Sequence, residues 1–252
     1  MAKLNDTTLC AIVRDEIINP AGGIVSFVES TVPFVDEAVT VDTGSKDGTR
    51  EKLESLAGQH RNLRVYDELF RGYAAARNAS LACAKTKYAL VLDADELITR
   101  ANFEILERAI RNHPHAHGYN LDFTCVYPPG ELDSADGKRK SYGHNPRLFP
   151  LDRGYAYNST LGPYGPEFLG RAGQSHDLLG ISDFSMNTRA EILHFLQSSK
   201  AMARKKAEWY EASLGVVGVF SRTVAANQAS SPSDLPSFKR WKELNPRRLQ
   251  YA

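Results

Sequence analysis

Apolar positions in the first half of the chain come in short unbroken runs, separated by segments of helical spacing. Leu9-Cys10-Ala11-Ile12-Val13, Ala38-Val39-Thr40-Val41 and Tyr88-Ala89-Leu90-Val91-Leu92 are continuous, and Leu63-Arg64-Val65-Tyr66 is a weaker member of the series. Apolar runs that do not alternate with polar residues mark strands covered on both faces, as in a parallel sheet. The segments between them predict helices over about 21–32, 47–58 and 73–86. The second helix has Ser45 and Asp47 as capping candidates and Gly58 as a stop. Strand and helix alternating in this way predict an α/β three-layer sandwich. Its central sheet is mostly parallel, its crossovers right-handed, and helices lie on both faces.

Beyond Asn102 the pattern changes. Residues 102–112 read as a helix with Phe103, Leu106 and Ile110 on one face, and residues 117–127 as a long strand. Pro128 to Gly143 is polar and turn-rich, which predicts an exposed loop or hairpin. Residues 150–188 are rich in Gly, Pro and Tyr with little periodicity, so a substrate-binding loop or lid is expected there. A short strand over 191–195 and a helix over 198–214 follow. The pattern predicts one domain over 1–220, with a nucleotide-binding half to about residue 100 and an acceptor half over 101–220. Residues 221–252 read as a basic tail, and no oligomeric state is specified.

Composition narrows the class. Hydrophobic residues make up 42% and charged residues 24%, which excludes disordered and collagen-like chains. The apolar run Gly215–Phe220 is far short of the roughly 18 residues a membrane helix needs. Cys10, Cys83 and Cys125 are widely spaced in apolar stretches, and residues 1–10 lack the apolar core of a secretory signal. A cytoplasmic protein with reduced thiols is the expectation. The net charge of +1 hides an asymmetry: residues 1–199 carry 21 basic and 26 acidic groups, residues 200–252 carry 10 and 4.

Ligands of open α/β sheets gather at the carboxyl ends of the strands. Two acidic constellations fall there. In Asp42-Thr43-Gly44-Ser45-Lys46-Asp47-Gly48-Thr49, Asp42 ends a strand and could accept hydrogen bonds from a ribose or base edge. A simple turn before a capped helix is the alternative. In Asp93-Ala94-Asp95-Glu96 three carboxylates follow the most apolar strand and would repel one another unless something positive lies between them. A divalent cation is the natural candidate, and a solvated acidic turn the alternative.

Together these segments resemble family 2 glycosyltransferases. Residues 42–49 are similar to the family's D-[DST]-G-S-x-D-G-T motif and Asp93-Ala94-Asp95 to its DxD. Residues 9–16 resemble its first strand, and Gly72-Tyr73-Ala74-Ala75-Ala76-Arg77-Asn78-Ala79-Ser80-Leu81 its A-R-N helix. More thinly, Arg147-Leu148-Phe149 and Ile192-Leu193-His194-Phe195 with Lys206 and Tyr210 resemble the subgroup of lipopolysaccharide-core glucosyltransferases. That subgroup's V-H-E-x-L element has its nearest match in Ser175-His176-Asp177-Leu178-Leu179, with Asp where Glu is usual.

The resemblance implies a GT-A fold and a metal-dependent, inverting transfer from a nucleotide-diphospho sugar, by default a UDP-sugar. It places Asp42, Arg77 and Asp93 on the nucleotide, with Asp15 and Glu16 at the same strand end and backbone contacts from Ile12 and Val13. Lys206 would reach the diphosphate, and Asp95 and His194 would hold manganese or magnesium. Asp177 is the expected catalytic base, with Glu167 and Asp183 as rivals. The expected acceptor is a hydroxyl of a glycan or lipid-linked glycan, with modified DNA or protein as alternatives. The basic tail would suit peripheral contact with the inner face of a membrane, or with nucleic acid. A nucleotidyltransferase is the reading from another enzyme class, but Arg14-Asp15-Glu16 stands where its glycine-rich phosphate loop would be. A non-catalytic nucleotide-sugar-binding protein is the third reading.

Overall fold

The computed structural model describes residues 3–17, 19, 21–126, 138–142, 146–159, 167–171 and 185–195. In chain order these form β1 (Leu4–Val13), α1 (Gly23–Thr31), β2 (Val35–Asp42), α2 (Thr49–Gln59), β3 (Leu63–Asp67), α3 (Tyr73–Cys83), β4 (Tyr88–Val91) and β5 (Glu96–Ile98). They continue with α4 (Arg100–Asn112), β6 (Tyr119–Val126), β7 (Lys138–Tyr142), β8 (Leu148–Pro150), β9 (Tyr155–Ser159), β10 (Glu167–Arg171) and β11 (Met186–Phe195). One large sheet has the order β3-β2-β1-β4-β8-β6-β11-β5, with β7 paired to β6, and β9–β10 form a separate ribbon. The pairs β3-β2, β2-β1, β1-β4 and β6-β11 are parallel; β8 joins β4 and β6 antiparallel, and β5 pairs antiparallel with β11. This is the α/β class that the apolar runs predict.

Alternation along β1 sorts the two cores. Leu9, Ala11 and Val13 pack with Ile24 and Phe27 of α1, Leu53 of α2, and Phe103 and Leu106 of α4. Cys10 turns the other way, into a smaller cluster with Leu81 of α3, Val91, Phe149, and Tyr157 and Leu169 of the ribbon. The first strands are therefore apolar on both faces because helices cover one side, and α3 with the ribbon covers the other. Each fully buried Leu or Phe contributes roughly 1.5–3 kcal/mol through removal of its surface from water.

The elements depart from the sequence pattern where local chemistry overrides spacing. The helix expected over 47–58 starts at Thr49, because Gly48 takes a left-handed φ of 95° and leaves Ser45 and Asp47 in the preceding loop. The helix expected over 102–112 begins two residues earlier, after Thr99, whose hydroxyl accepts from the Asn102 N–H. The final strand is ten residues long, with an irregularity between Asn187 and Glu191 where Arg189 has a φ of 62°. Part of the weakly periodic region 150–188 is strand: the ribbon buries only one side, through Tyr157 and Leu169, too little for a sustained pattern. Of the turn-rich segment only its end is described, where β7 pairs antiparallel with β6; residues 128–137 lie outside the described residues. The helix expected over 198–214 and the basic tail lie outside the described residues. Among those described, no helix is long and apolar enough to cross a membrane.

From β1 the chain proceeds to β2 on one side, and β4 lies on the other. β1 and β4 therefore flank a topological switch point, where ligands of open α/β sheets gather. Gly23 keeps the loop after β1 close to α1: its φ is +79°, and a Cβ there would lie 2.4 Å from the Ile17 carbonyl oxygen. We expect Gly23→Ala to destabilise the fold by more than about 1 kcal/mol, combining left-handed strain with backbone overlap. An unchanged urea midpoint would refute this close approach.

Candidate functional site

Asp42 ends β2 beside the last residue of β1, with which it pairs. Its Oδ1 accepts from the N–H groups of Gly44 and Ser45, both at 2.8 Å, which closes the turn. Its Oδ2 is buried and has no hydrogen-bond partner. Ile12 pairs with Val41 in the ladder, and the Val13 carbonyl accepts from both the N–H and the hydroxyl of Thr43, at 3.0 and 3.1 Å.

The loop after β1 is tied to this turn residue by residue. Asp15, at a left-handed φ of 56°, donates its N–H to Ser45 Oγ at 2.9 Å and accepts from the Lys46 N–H through Oδ1 at 2.7 Å. The Glu16 N–H donates to Thr49 Oγ1 at 2.7 Å, and the Ile17 N–H to Asp47 Oδ2 at 3.1 Å. Ser45, Asp47 and Thr49 thus hold the loop of residues 15–17 in place. Asn19 extends the connection, donating from Nδ2 to Glu16 Oε2 at 2.9 Å and to the Ala94 carbonyl at 2.8 Å. Its Oδ1 accepts from the N–H groups of Ala21 and Gly23, so one amide joins the loops of β1 and β4 to the start of α1. No sequence motif singles out Asn19.

At the end of β4 the crowded carboxylates meet arginines. Arg77 donates from Nη2 to both oxygens of Asp93, at 2.8 and 3.1 Å, and from Nε to Glu167 Oε1 at 2.7 Å. Its Nη1 is buried and unpartnered. Arg147 donates from Nη2 to Glu96 Oε1 at 2.6 Å, lies 3.9 Å from Asp93, and stands 4.9 Å from the centre of the Phe123 ring. Glu96 completes the turn by accepting from the Asp93 N–H at 2.9 Å. Burial raises the Asp93 pKa, but Arg77 and then Arg147 outweigh it and hold the carboxyl below its ordinary value. Burial dominates at Glu96 and pushes it up to about 7 against the pull of Arg147. The positive charge that the acidic turn requires is therefore largely the protein's own. Arg147 had no role of its own assigned from the sequence; its signal was its place in the Arg147-Leu148-Phe149 resemblance.

Asp95 faces elsewhere. Its Oδ2 lies 3.7 Å from His194 Nε2, and its carbonyl accepts from the Phe195 N–H at 3.1 Å. Burial disfavours a charged His194 ring, but Asp95, Cys125 and Glu96 outweigh it and push the pKa up to about 11. Cys125 is the register partner of His194 on β6. Hydrogen bonds therefore link Asp15 through Ser45 to Asp42, and Glu16 through Asn19 to the loop after Asp93; Arg77 pairs with Asp93, and His194 stands beside Asp95. Asp177, Asp183 and Lys206 lie outside the described residues.

A family model described as Glycosyl transferase family 2 matches residues 24–208, well over half of the chain. The chain belongs to that family. Among curated relatives of this family 2 glycosyltransferase, a TPR repeat-containing protein of Synechococcus elongatus is 33% identical over 121 residues, which are 48% of this chain and 28% of that protein. Cholesterol galactosyltransferase of Borreliella burgdorferi is 26% identical over 125 residues, or 50% of this chain and 33% of that one. The chain thus spans a third or less of these relatives' lengths. In fold it resembles residues 1–349 of S. aureus TarS in complex with UDP, at a TM-score of 0.50 and 13% identity, over 86% of this chain and 68% of that one.

Whether these residues fit a divalent cation depends on which carboxylates are already engaged. Both oxygens of Asp93 are engaged by Arg77, so it is a poor ligand. Asp95 and His194 are a hard oxygen and an imidazole 3.7 Å apart. Two ligands on one octahedral ion, with bonds of about 2.1 Å, stand about 3 Å apart or somewhat more, so a small closing movement suits this pair. Among the described residues no group of three or more His, Cys, Asp or Glu side chains is arranged around a cation. The fit is that of a two-residue site whose other positions go to substrate oxygens and water.

The buried Arg147–Glu96 pair lends itself to a direct test. Arg147→Met leaves a carboxyl at 1% side-chain exposure without its cation, and we expect a loss of about 3–5 kcal/mol on chemical denaturation. Adding Glu96→Gln should recover part of that loss. A double variant that lost as much as the Arg147→Met and Glu96→Gln singles together would show that the pair is not coupled.

Proposed function

We propose that this family 2 glycosyltransferase moves a sugar from a UDP-sugar to an acceptor hydroxyl with inversion at the anomeric carbon. The observation that carries the reading is Asp42, a buried carboxylate oxygen without a partner beside the switch point. An unsatisfied buried acceptor is costly, and a ribose hydroxyl or the uracil N–H is the donor it suits. The unpartnered Nη1 of Arg77 gives the same site a cationic donor for the nucleotide. Asp15 and Glu16 border the nucleotide from the β1 loop, and Asp93 holds Arg77 in orientation.

Asp95 and His194 would hold manganese or magnesium, which when bound supplies Lewis-acid neutralisation of the diphosphate leaving group. Lys206 is proposed to add a cationic donor to the same phosphates. Asp177 is proposed to take the proton of the acceptor hydroxyl as it attacks opposite the leaving group, a contribution of typically about 10²–10⁴-fold. Glu167 and Asp183 are the rivals for that role. The acceptor is proposed to be a lipid-linked or lipopolysaccharide-core glycan, following the Arg147-Leu148-Phe149 and His194 segments. The basic residues after 200 would then rest on anionic headgroups at the cytoplasmic face of a membrane.

Calorimetry with UDP and manganese tests the donor half of this reading. Asp42→Asn should weaken UDP about 10–100-fold, the loss of one hydrogen bond to a charged acceptor. Asp95→Ala should remove the manganese dependence of binding, and unchanged affinity in both variants would reject the assignment. Asp177→Asn should retain UDP binding and lose transfer in a donor-hydrolysis screen across nucleotide sugars; normal turnover would place the base elsewhere.

A further inference from the structure

Two neighbouring residues of α3 hold the β9–β10 ribbon. Asn78 donates from Nδ2 to the Tyr157 carbonyl at 2.9 Å and accepts from the Tyr157 N–H at 2.7 Å. Its amide pairs with β9 as another strand would. Arg77 holds β10 through Glu167, and its guanidinium carbon stands 5.5 Å from the centre of the Tyr157 ring. The same guanidinium reaches both oxygens of Asp93 through the adjacent Nη2. Arg77 has 7% side-chain exposure and Glu167 18%, so water screens the pair little.

A guanidinium is planar, with its donors in a fixed fork. Asp93 alone leaves the plane free to tilt about the Nη2 contact. Glu167, bound at Nε, removes that freedom and thereby fixes where the unpartnered Nη1 points. The Glu167 oxygen engaged in this way is directed at α3, which sets it apart from a group that must collect a proton from an incoming hydroxyl.

We propose that Glu167 is a positioning residue: it locks the Arg77 plane against Asp93 and so couples the β9–β10 ribbon to nucleotide binding. The role in binding rests on the donor reading above. Residues 172–184, which include Asp177, follow β10 directly in the chain, so the ribbon connects the donor end of the sheet to the segment proposed to supply the base.

Glu167→Ala should weaken UDP in the presence of manganese by about 10-fold or more and raise the donor KM in parallel. Glu167→Gln, which still accepts from Nε, should restore most of that affinity. In both variants kcat should change by less than about 3-fold, and its pH profile should keep its acid limb. A loss of kcat of about 100-fold in Glu167→Gln, with UDP affinity intact and the acid limb displaced, would make Glu167 the base and overturn the proposal. A ligand-free arm measures melting temperatures of Arg77→Met, Glu167→Met and the double variant, with Arg77→Lys in place of Arg77→Met if the latter does not fold. The double variant should lose clearly less than the sum of the singles, and additive losses would overturn the coupling. A wild-type chain that bound no UDP would sink the donor reading alone, and the melting cycle would then decide the coupling.

Discussion

The Arg77 guanidinium shared between Asp93 and Glu167 is the interaction on which the rest of the site depends. Three carboxylates within four residues at the end of a buried strand cannot all ionise against one another. Arg77 neutralises the first and Arg147 the third, which leaves Asp95 to turn toward His194. One cation from a helix and one from the start of a strand thereby sort three adjacent acids into separate roles. Removing a guanidinium would cost more than its hydrogen bonds, because a buried charge would be left uncompensated.

Around this charged centre, backbone groups do most of the joining. The segment Ser45–Thr49 resembles a ligand-binding motif in the sequence, yet Ser45, Asp47 and Thr49 spend their side chains on the backbone of residues 15–17. Asp42 differs from them, with one oxygen closing the turn and the other left over. The motif therefore divides between side chains that hold the neighbouring loop and a single buried oxygen without a hydrogen-bond partner. Asn19 performs the corresponding joining on the β4 side with one amide.

The α/β core was legible in the sequence because strands covered on both faces leave unbroken apolar runs, as Leu9–Val13 and Tyr88–Leu92 do. The site was legible because Asp42 and Asp93 end two of those runs. What escaped were contacts between residues distant in the chain, which no local spacing encodes. Arg147 meets Glu96 across 51 positions and Arg77 meets Glu167 across 90. Of the arginines that balance the acidic turn, Arg77 stands 16 positions from Asp93 and Arg147 51 from Glu96, so no local spacing announces them. The ribbon escaped for a different reason: packed on one side, against α3 and the small cluster around Phe149, β9 and β10 bury too few residues to leave a period.

The position of β5 has a consequence for the order in which the protein assembles. Three residues after Asp93 the chain enters β5, which pairs not with its neighbours in sequence but with β11, so that Leu97 sits opposite Leu193. The acidic turn is thus anchored at one end by β4 and at the other by a strand synthesised about a hundred residues later. A ribosome that has released only the first half of the chain has made Asp42, Arg77 and Asp93 but not the strand that holds Asp95 in place. Fixing of the acidic turn is therefore a long-range event that requires closure of a loop of about a hundred residues, unlike the local α/β units that precede it.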